Sequence, residues 1–159
     1  MIHRSNEITL SQIFRNVSLS SAIVQQAINV AGRVHKTNIT ITELNTTIQH
    51  TNSVISKVSK TVEFLKKVEK TFPHYIPDIV DDRKRLENAL ENAYYIVQEI
   101  DDIKLKNSKV KHVGNSFSVD INGTVDIKYN IKITNSIMKL IQVLSNTKTV
   151  LNSIKKRLT

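Results

Sequence analysis

The longest regular pattern of hydrophobic and polar positions runs from residue 40 to residue 72. Hydrophobic residues recur there at intervals of three and four, which places one narrow stripe along a helix of about nine turns. A strand would require period two and is excluded. The stripe consists of Ile41, Leu44, Ile48, Ile55, Val58, Val62, Leu65, Val68 and Phe72, with Thr51 at its one gap. A stripe of this length requires other helices to bury it.

Both ends of this helix are marked in the sequence. Thr40 and Glu43 have the spacing of a capping box, in which each side chain accepts a hydrogen bond from the backbone amide of the other residue. Pro73 disfavours helical geometry in the residue before it, so the helix is predicted to end at Phe72. The second helix is therefore predicted over residues 40–72.

Three further segments repeat the helical spacing, and helices are predicted over residues 9–34, 78–105 and 134–157. Where the first two helices meet, the sequence fits either a turn over residues 33–38 or one continuous helix bent near Gly32. Amphipathic helices joined by short connections form bundles. The predicted fold is therefore mainly α, a four-helix bundle in which all 159 residues make a single domain.

Between the predicted third and fourth helices the spacing changes to period two. Hydrophobic residues alternate with polar ones over residues 116–120 and again over 124–131, and Asn122-Gly123 lies between the two runs. Both turn residues tolerate positive φ, and this combination is a strong hairpin pattern. We therefore predict a β-hairpin over residues 116–131, inserted between helices three and four, with one face packed on the helices.

Composition excludes several kinds of chemistry. The chain has no Cys, so disulfides, thiol catalysis and zinc–thiolate sites are excluded. No two histidines lie three or four residues apart, and no phosphate-binding glycine loop or G-x-S-x-G motif occurs. The sequence therefore predicts no catalytic residue, no metal site, no cofactor and no enzymatic activity.

The chain carries a formal net charge of +9 and has a sequence pI near 9.8. This excess would attract an anionic membrane, nucleic acid or an acidic protein. An AT-rich genome also encodes many Asn, Ile, Lys and Thr residues, so the charge alone does not decide among these readings. No segment approaches the roughly 18 apolar residues that span a bilayer, and the N-terminus lacks the features of a signal peptide. The predicted location is cytoplasmic, with peripheral membrane association as an extension.

Two basic clusters are the candidate sites for an anionic surface, and their alternative interpretation is solvated surface. The residues are Lys104, Lys106, Lys109 and Lys111 in a tract after the third helix, with Lys155, Lys156 and Arg157 at the C-terminus. The broadly apolar second half of the first helix supplies candidates for membrane insertion, namely Ile23, Val24, Ile28 and Val34.

Thr51 and Thr147 occupy stripe positions in the second and fourth helices. Each threonine either bonds to the backbone of its own helix or contributes to a polar layer that sets the register of the bundle. The sequence favours the first interpretation and leaves the second open.

The order of these parts resembles a known group. A broadly apolar first helix precedes a long Leu/Ile/Thr helix. A third helix with an acidic start contains Arg85-Leu-Glu-Asn-Ala-Leu-Glu-Asn-Ala93, and a Lys-rich tract and Lys128-Tyr129 lead into the last helix. This order is similar to the HeLo-like N-terminal four-helix bundles, which include RPW8-type domains of plant immune receptors and the bundle of mixed-lineage-kinase-domain-like proteins. The resemblance covers about residues 15–158. It implies a bundle that oligomerises and attacks membranes in cell death, with basic residues that find anionic lipid.

The expected function is that of a non-enzymatic interaction or assembly module, with a membrane-targeting role through its basic clusters. Its expected partner is another protein or a second copy of the chain, with an anionic membrane as an option and nucleic acid as a weaker one. Two alternatives are a nucleic-acid-associated accessory protein and a small exported or phage-type helical partner protein.

Overall fold

The computed structural model describes residues 10–34, 36–71, 79–111 and 123–158, of which residues 109–111 are described by their backbone only. Helical residues make up 91% of this part of the chain, which contains no sheet. The elements are α1 (Leu10–Gly32), α2 (Ile41–Thr71), α3 (Ile79–Lys111), a 3-10 turn at Ile127–Tyr129, and α4 (Asn130–Arg157). The predicted four-helix bundle is confirmed, and α1 and α2 are separate helices.

The four helices pack as an antiparallel bundle in which each helix lies against its neighbours in the chain and α4 closes the ring on α1. Contacts between helix ends establish the directions. The start of α3 meets the end of α2 through Arg83 and Glu69, and it meets the end of α4 through Asp82 and Arg157. The bundle therefore has two distinct ends. We call the end with the α2 and α4 N-termini the first end, and the end with their C-termini the second end.

The interior of the bundle is aliphatic, as the three-and-four spacing predicts. Its largest fully buried side chains are Ile13, Val17, Ile39, Leu44, Leu65, Leu86, Ile100, Ile133, Leu140, Leu144, Leu151 and Ile154. One detail of the predicted α2 stripe is wrong: Val54 is fully buried, whereas the adjacent Ile55 is only partly buried. The stripe turns slowly around the helix because 3.6 residues per turn does not divide evenly into seven residues.

The capping box at the start of α2 is confirmed. The backbone amide of Glu43 donates to the Thr40 hydroxyl over 3.1 Å, and the Thr40 amide donates to the Glu43 carboxylate over 3.0 Å. These bonds satisfy backbone donors that the first turn of a helix leaves without partners.

The predicted β-hairpin is wrong in the half that the structure describes. Residues 127–129 form a 3-10 turn, and α4 begins at Asn130 rather than at residue 134. Ile127 and Ile131 are 80% and 76% exposed, so the alternating hydrophobic residues do not share a buried face. Residues 116–122, which include the predicted first strand, lie outside the described residues.

Residues 123–125 pair with the α1–α2 connection instead of forming a hairpin. The Ile41 amide donates to the Gly123 carbonyl over 2.9 Å, and the Val125 amide donates to the Ile39 carbonyl over 2.7 Å. Thr40 and Thr124 form an isolated antiparallel bridge between these two bonds. Ile39 and Val125 are both buried, so the contact also closes the hydrophobic interior at the first end.

The third helix is longer than predicted, because it continues from residue 105 through Lys111. The buried positions Ile100 and Ile103 are followed by a buried Asn107, which continues the helical spacing with a polar residue. The Asn107 side-chain oxygen accepts a hydrogen bond from the Asp126 amide over 2.8 Å. The basic tract, predicted to follow the third helix, is therefore part of that helix through Lys111. Hydrophobic spacing alone does not identify it as helical, because its buried position is an asparagine.

Candidate anionic-surface binding site

Charge is unevenly distributed among the four helices. α4 carries six basic residues and no acidic residue, and the adjacent α1 carries one basic residue and no acidic residue. By contrast, α2 carries five basic and three acidic residues, and α3 carries seven of each. The α1–α4 pair therefore holds +7 and the α2–α3 pair +2, and every helical carboxylate in the described ranges belongs to α2 or α3.

At the second end, the last turn of α4 lies beside the first turns of α1. The Lys155 ammonium group is 5.4 Å from the centre of the Phe14 ring, within the range of a cation–π interaction. Arg15 is exposed on the next position of α1 and makes no ion pair with any described residue. Two cationic groups therefore lie close to an exposed aromatic ring.

Hydrophobic side chains are exposed on the same part of α1. Leu10 is 44% exposed, Phe14 39% and Leu19 47%. Phe14, Arg15 and Leu19 line one shallow depression on this helix. We refer to Phe14, Arg15, Leu19 and Lys155 together as the basic–apolar patch.

The residues of the C-terminal basic cluster differ in their surroundings. Lys156 is exposed on the last turn of α4. Arg157 is engaged within the protein, because its Nε donates to the buried carboxylate of Asp82 over 2.8 Å. Arg157 therefore stabilises the second end, where it shares the Asp82 carboxylate with Arg85.

The basic tract on α3 and the C-terminal cluster lie at opposite ends of the bundle. Lys104 lies near the first end, where it donates to Asn45 over 2.7 Å, whereas Arg157 reaches the start of α3. Twenty-two residues of helix separate Asp82 from Lys104, a distance of about 30 Å at 1.5 Å per residue. Lys106 is exposed beside α4, and the side chains of Lys109 and Lys111 lie outside the described residues. The two predicted clusters therefore do not form one surface.

The four candidates for membrane insertion belong to the folded interior. Val24 is fully buried, and Ile23, Ile28 and Val34 are partly buried against the hydrophobic core. The exposed hydrophobic residues of α1 lie nearer its N-terminus. Hydrophobic spacing alone does not find them, because Leu10 and Phe14 share intervals of three and four with the buried Ile13 and Val17.

The buried threonines follow the first of their two interpretations. Thr51 and Thr147 each donate to the carbonyl four residues earlier in their own helix over 2.8 Å. A contact between helices occurs elsewhere: the Ser20 and Thr61 hydroxyls of α1 and α2 are 2.7 Å apart in the core. Spacing gave no indication of this pair, because its two residues lie on different helices.

The basic–apolar patch combines cationic and hydrophobic side chains. Among the described residues, no group of three or more His, Asp or Glu side chains is placed to hold a metal ion. Of the helices in the described ranges, none combines the length and the apolar character needed to cross a membrane.

Comparison with known proteins found no matching family model, no matching curated protein and no matching solved structure. The resemblance to HeLo-like bundles stays a prediction.

Proposed function

We propose that the protein is a non-enzymatic interaction module that docks on anionic membrane surfaces through its basic–apolar patch. The observation that carries the proposal is the absence of Asp and Glu from α1 and α4, so that all seven charged residues of this pair of adjacent helices are basic. Each Lys or Arg near an anionic leaflet contributes on the order of 1 kcal/mol to binding. Arg15 and Lys155 together would therefore contribute about 2 kcal/mol.

The exposed hydrophobic residues favour a membrane over nucleic acid as the anionic surface. Phe14 and Leu19 would enter the boundary between headgroups and acyl chains while Arg15 and Lys155 meet the phosphates. A nucleic-acid duplex offers phosphates but no comparable apolar layer. An exposed Leu would therefore bury little hydrophobic surface on binding to a duplex. The inserting residues are exposed in the folded bundle, so docking requires no opening of the core.

Cosedimentation with vesicles of phosphatidylcholine alone and of phosphatidylcholine with phosphatidylserine tests the proposal. We expect binding only to the anionic vesicles. The Arg15→Glu/Lys155→Glu variant should lose at least about tenfold in affinity, because two attractive charges become repulsive. Lys60→Glu/Lys67→Glu on α2 is the matched control, since it changes the net charge equally at exposed positions on the other side of the bundle. Equal losses in both variants would show that only net charge matters and would overturn the proposal.

The second arm compares vesicles with a 20-base-pair duplex at the same salt concentration. Phe14→Ala and Leu19→Ala should weaken vesicle binding and leave any duplex binding unchanged. Tight duplex binding without vesicle binding would replace the membrane proposal with that of a nucleic-acid-associated protein.

A further inference from the structure

A groove with polar and apolar lining residues runs between α3 and α4, on a different side of the molecule from the basic–apolar patch. It extends from Asn92 to Lys106 on α3 and from Lys132 to Asn146 on α4, which is a length of about 20 Å. Glu99, Asp102 and Lys139 line both halves, so the two depressions form one channel. We refer to it as the α3–α4 groove.

Four carboxamide side chains converge on the half of the groove nearer the second end. They belong to Asn92, Gln98, Gln142 and Asn146. None of them makes a hydrogen bond to another residue in the described part of the chain. Each carboxamide has both donor and acceptor groups, the same pair that a peptide backbone offers. Tyr95 is 58% exposed in the same half and supplies an aromatic surface.

The half nearer the first end has a different chemistry. Lys106, Lys132 and Lys139 line it, and none of the three forms an ion pair with a described residue. Glu99 and Asp102 lie in the middle of the groove, where Glu99 accepts a hydrogen bond from the Ser136 hydroxyl over 3.3 Å. A bound molecule would therefore meet uncharged polar groups at one end and cationic groups at the other.

We propose that the α3–α4 groove binds an extended peptide segment of a partner protein, with acidic residues of that segment against Lys106, Lys132 and Lys139. An extended chain keeps its backbone N–H and C=O groups available to the carboxamides, whereas a helix uses those groups internally. A groove of about 20 Å holds roughly six extended residues. The two central carboxylates disfavour a nucleic acid, which carries a phosphate at every nucleotide, whereas a peptide can place uncharged residues beside Glu99 and Asp102.

This inference is independent of the proposed membrane docking, because it involves neither α1 nor the last turns of α4. Together the two surfaces would make the protein an adaptor that holds a partner's acidic segment near a membrane.

Amide chemical shifts of the labelled protein, titrated with an eight-residue peptide that carries three glutamates at one end, test the inference. We expect shift changes confined to residues 92–106 and 132–146. A matched peptide with three glutamines should bind at least about fivefold more weakly, since hydrogen bonds to charged groups are the stronger ones. The Gln142→Ala/Asn146→Ala variant should also bind the acidic peptide about fivefold or more weakly.

The matched control is Gln49→Ala/Asn52→Ala, which removes two carboxamides that line a shallow depression on α2 alone. It should leave peptide binding unchanged. The inference is overturned by shift changes scattered over the bundle, by equal weakening in the control variant, or by the absence of any shift change at millimolar peptide. Tighter binding of an eight-nucleotide single strand in the same groove would overturn it in favour of nucleic acid.

Discussion

At the scale of single residues, the contacts of Asp82 are those that the sequence predicted least well. Asp82 belongs to a run of five charged residues at the start of α3, a pattern typical of a solvated surface, yet its side chain is fully buried. Its two oxygens accept hydrogen bonds from Arg85 over 3.0 Å, from Arg157 over 2.8 Å and from Ser153 over 3.4 Å. Period analysis places only hydrophobic residues in a core, so it misses a carboxylate whose partners come from another helix.

Asp82→Ala should lower the free energy of unfolding by about 1–3 kcal/mol in urea denaturation, because it leaves the Arg157 guanidinium without its carboxylate. The lower end of that range is expected, since Arg157 is about one-third exposed and therefore partly solvated. Asp81→Ala, at the exposed neighbouring position, should change stability by no more than about 0.5 kcal/mol. Similar losses in both variants would mean that helix N-terminal charge, rather than the buried contact, is responsible.

Ion pairs also connect α2 and α3 near the second end. A hydrogen bond from Lys66 lowers the pKa of Glu87 below its ordinary value of 4.5, and the nearby positive charges of Lys66 and Arg83 add to this effect. A lowered pKa means that this stabilisation is present above the unfolded-state value and is lost as the pH falls through the folded-state value. Carbon-detected NMR should show Glu87 titrating below 4.5, and Lys66→Ala should raise that midpoint. Lys67→Ala, which removes the adjacent exposed charge, should leave the midpoint where it is.

At the scale of elements, the sequence predicted the helices well and the connection between α3 and α4 poorly. Long hydrophobic spacing and the capping box identified α2 to within one residue at each end. The alternation of Val125, Ile127, Tyr129 and Ile131 is the pattern of a strand, but only Val125 is buried among them. Local periodicity cannot report that residues 123–125 find their backbone partners about 85 residues earlier in the chain. The same limit applies to the predicted anionic-surface site. The sequence identified its two basic clusters, but it could not show that helix packing places them at opposite ends of the bundle.

Asn107→Ala tests the contact that holds this connection to α3. The substitution removes a buried acceptor from the Asp126 amide and should cost about 1–3 kcal/mol. Hydrogen exchange at the Asp126 amide should accelerate more than exchange in the middle of α4. Ser108→Ala, one position along and exposed, serves as the control. Unchanged exchange at Asp126 in the Asn107 variant would contradict this role.

Burial along α2 predicts a graded response to shortening its side chains. Leu65 is fully buried, and Leu65→Ala should cost about 2–5 kcal/mol. Ile55 is only partly buried, so Ile55→Ala should cost clearly less. Urea denaturation of both variants measures the difference. Equal losses would indicate that the α2 stripe faces a further surface in solution.

At the scale of the whole molecule, acidic and basic residues are divided unequally between the two pairs of adjacent helices. α1 and α4 present only cations, whereas all the helical acidic residues lie on α2 and α3. An AT-rich genome accounts for many lysines but gives no reason for acidic residues to be excluded from two adjacent helices. Since α1 and α4 are distant in sequence, this separation becomes visible only when the helices are assembled into the bundle.

The final prediction concerns both proposed surfaces at once. The basic–apolar patch uses the start of α1 and the last turns of α4, while the α3–α4 groove ends at Asn146, so both surfaces are available in the same folded molecule. Anionic vesicles that carry the protein should therefore bring the glutamate-containing peptide into the pellet, and vesicles alone should not, because the peptide and the lipid repel each other. Arg15→Glu/Lys155→Glu should leave protein and peptide together in the supernatant. Gln142→Ala/Asn146→Ala should leave the protein in the pellet and the peptide in solution. If the peptide instead displaces the protein from the vesicles, the two ligands compete for one cationic surface and the separation of the two sites is contradicted.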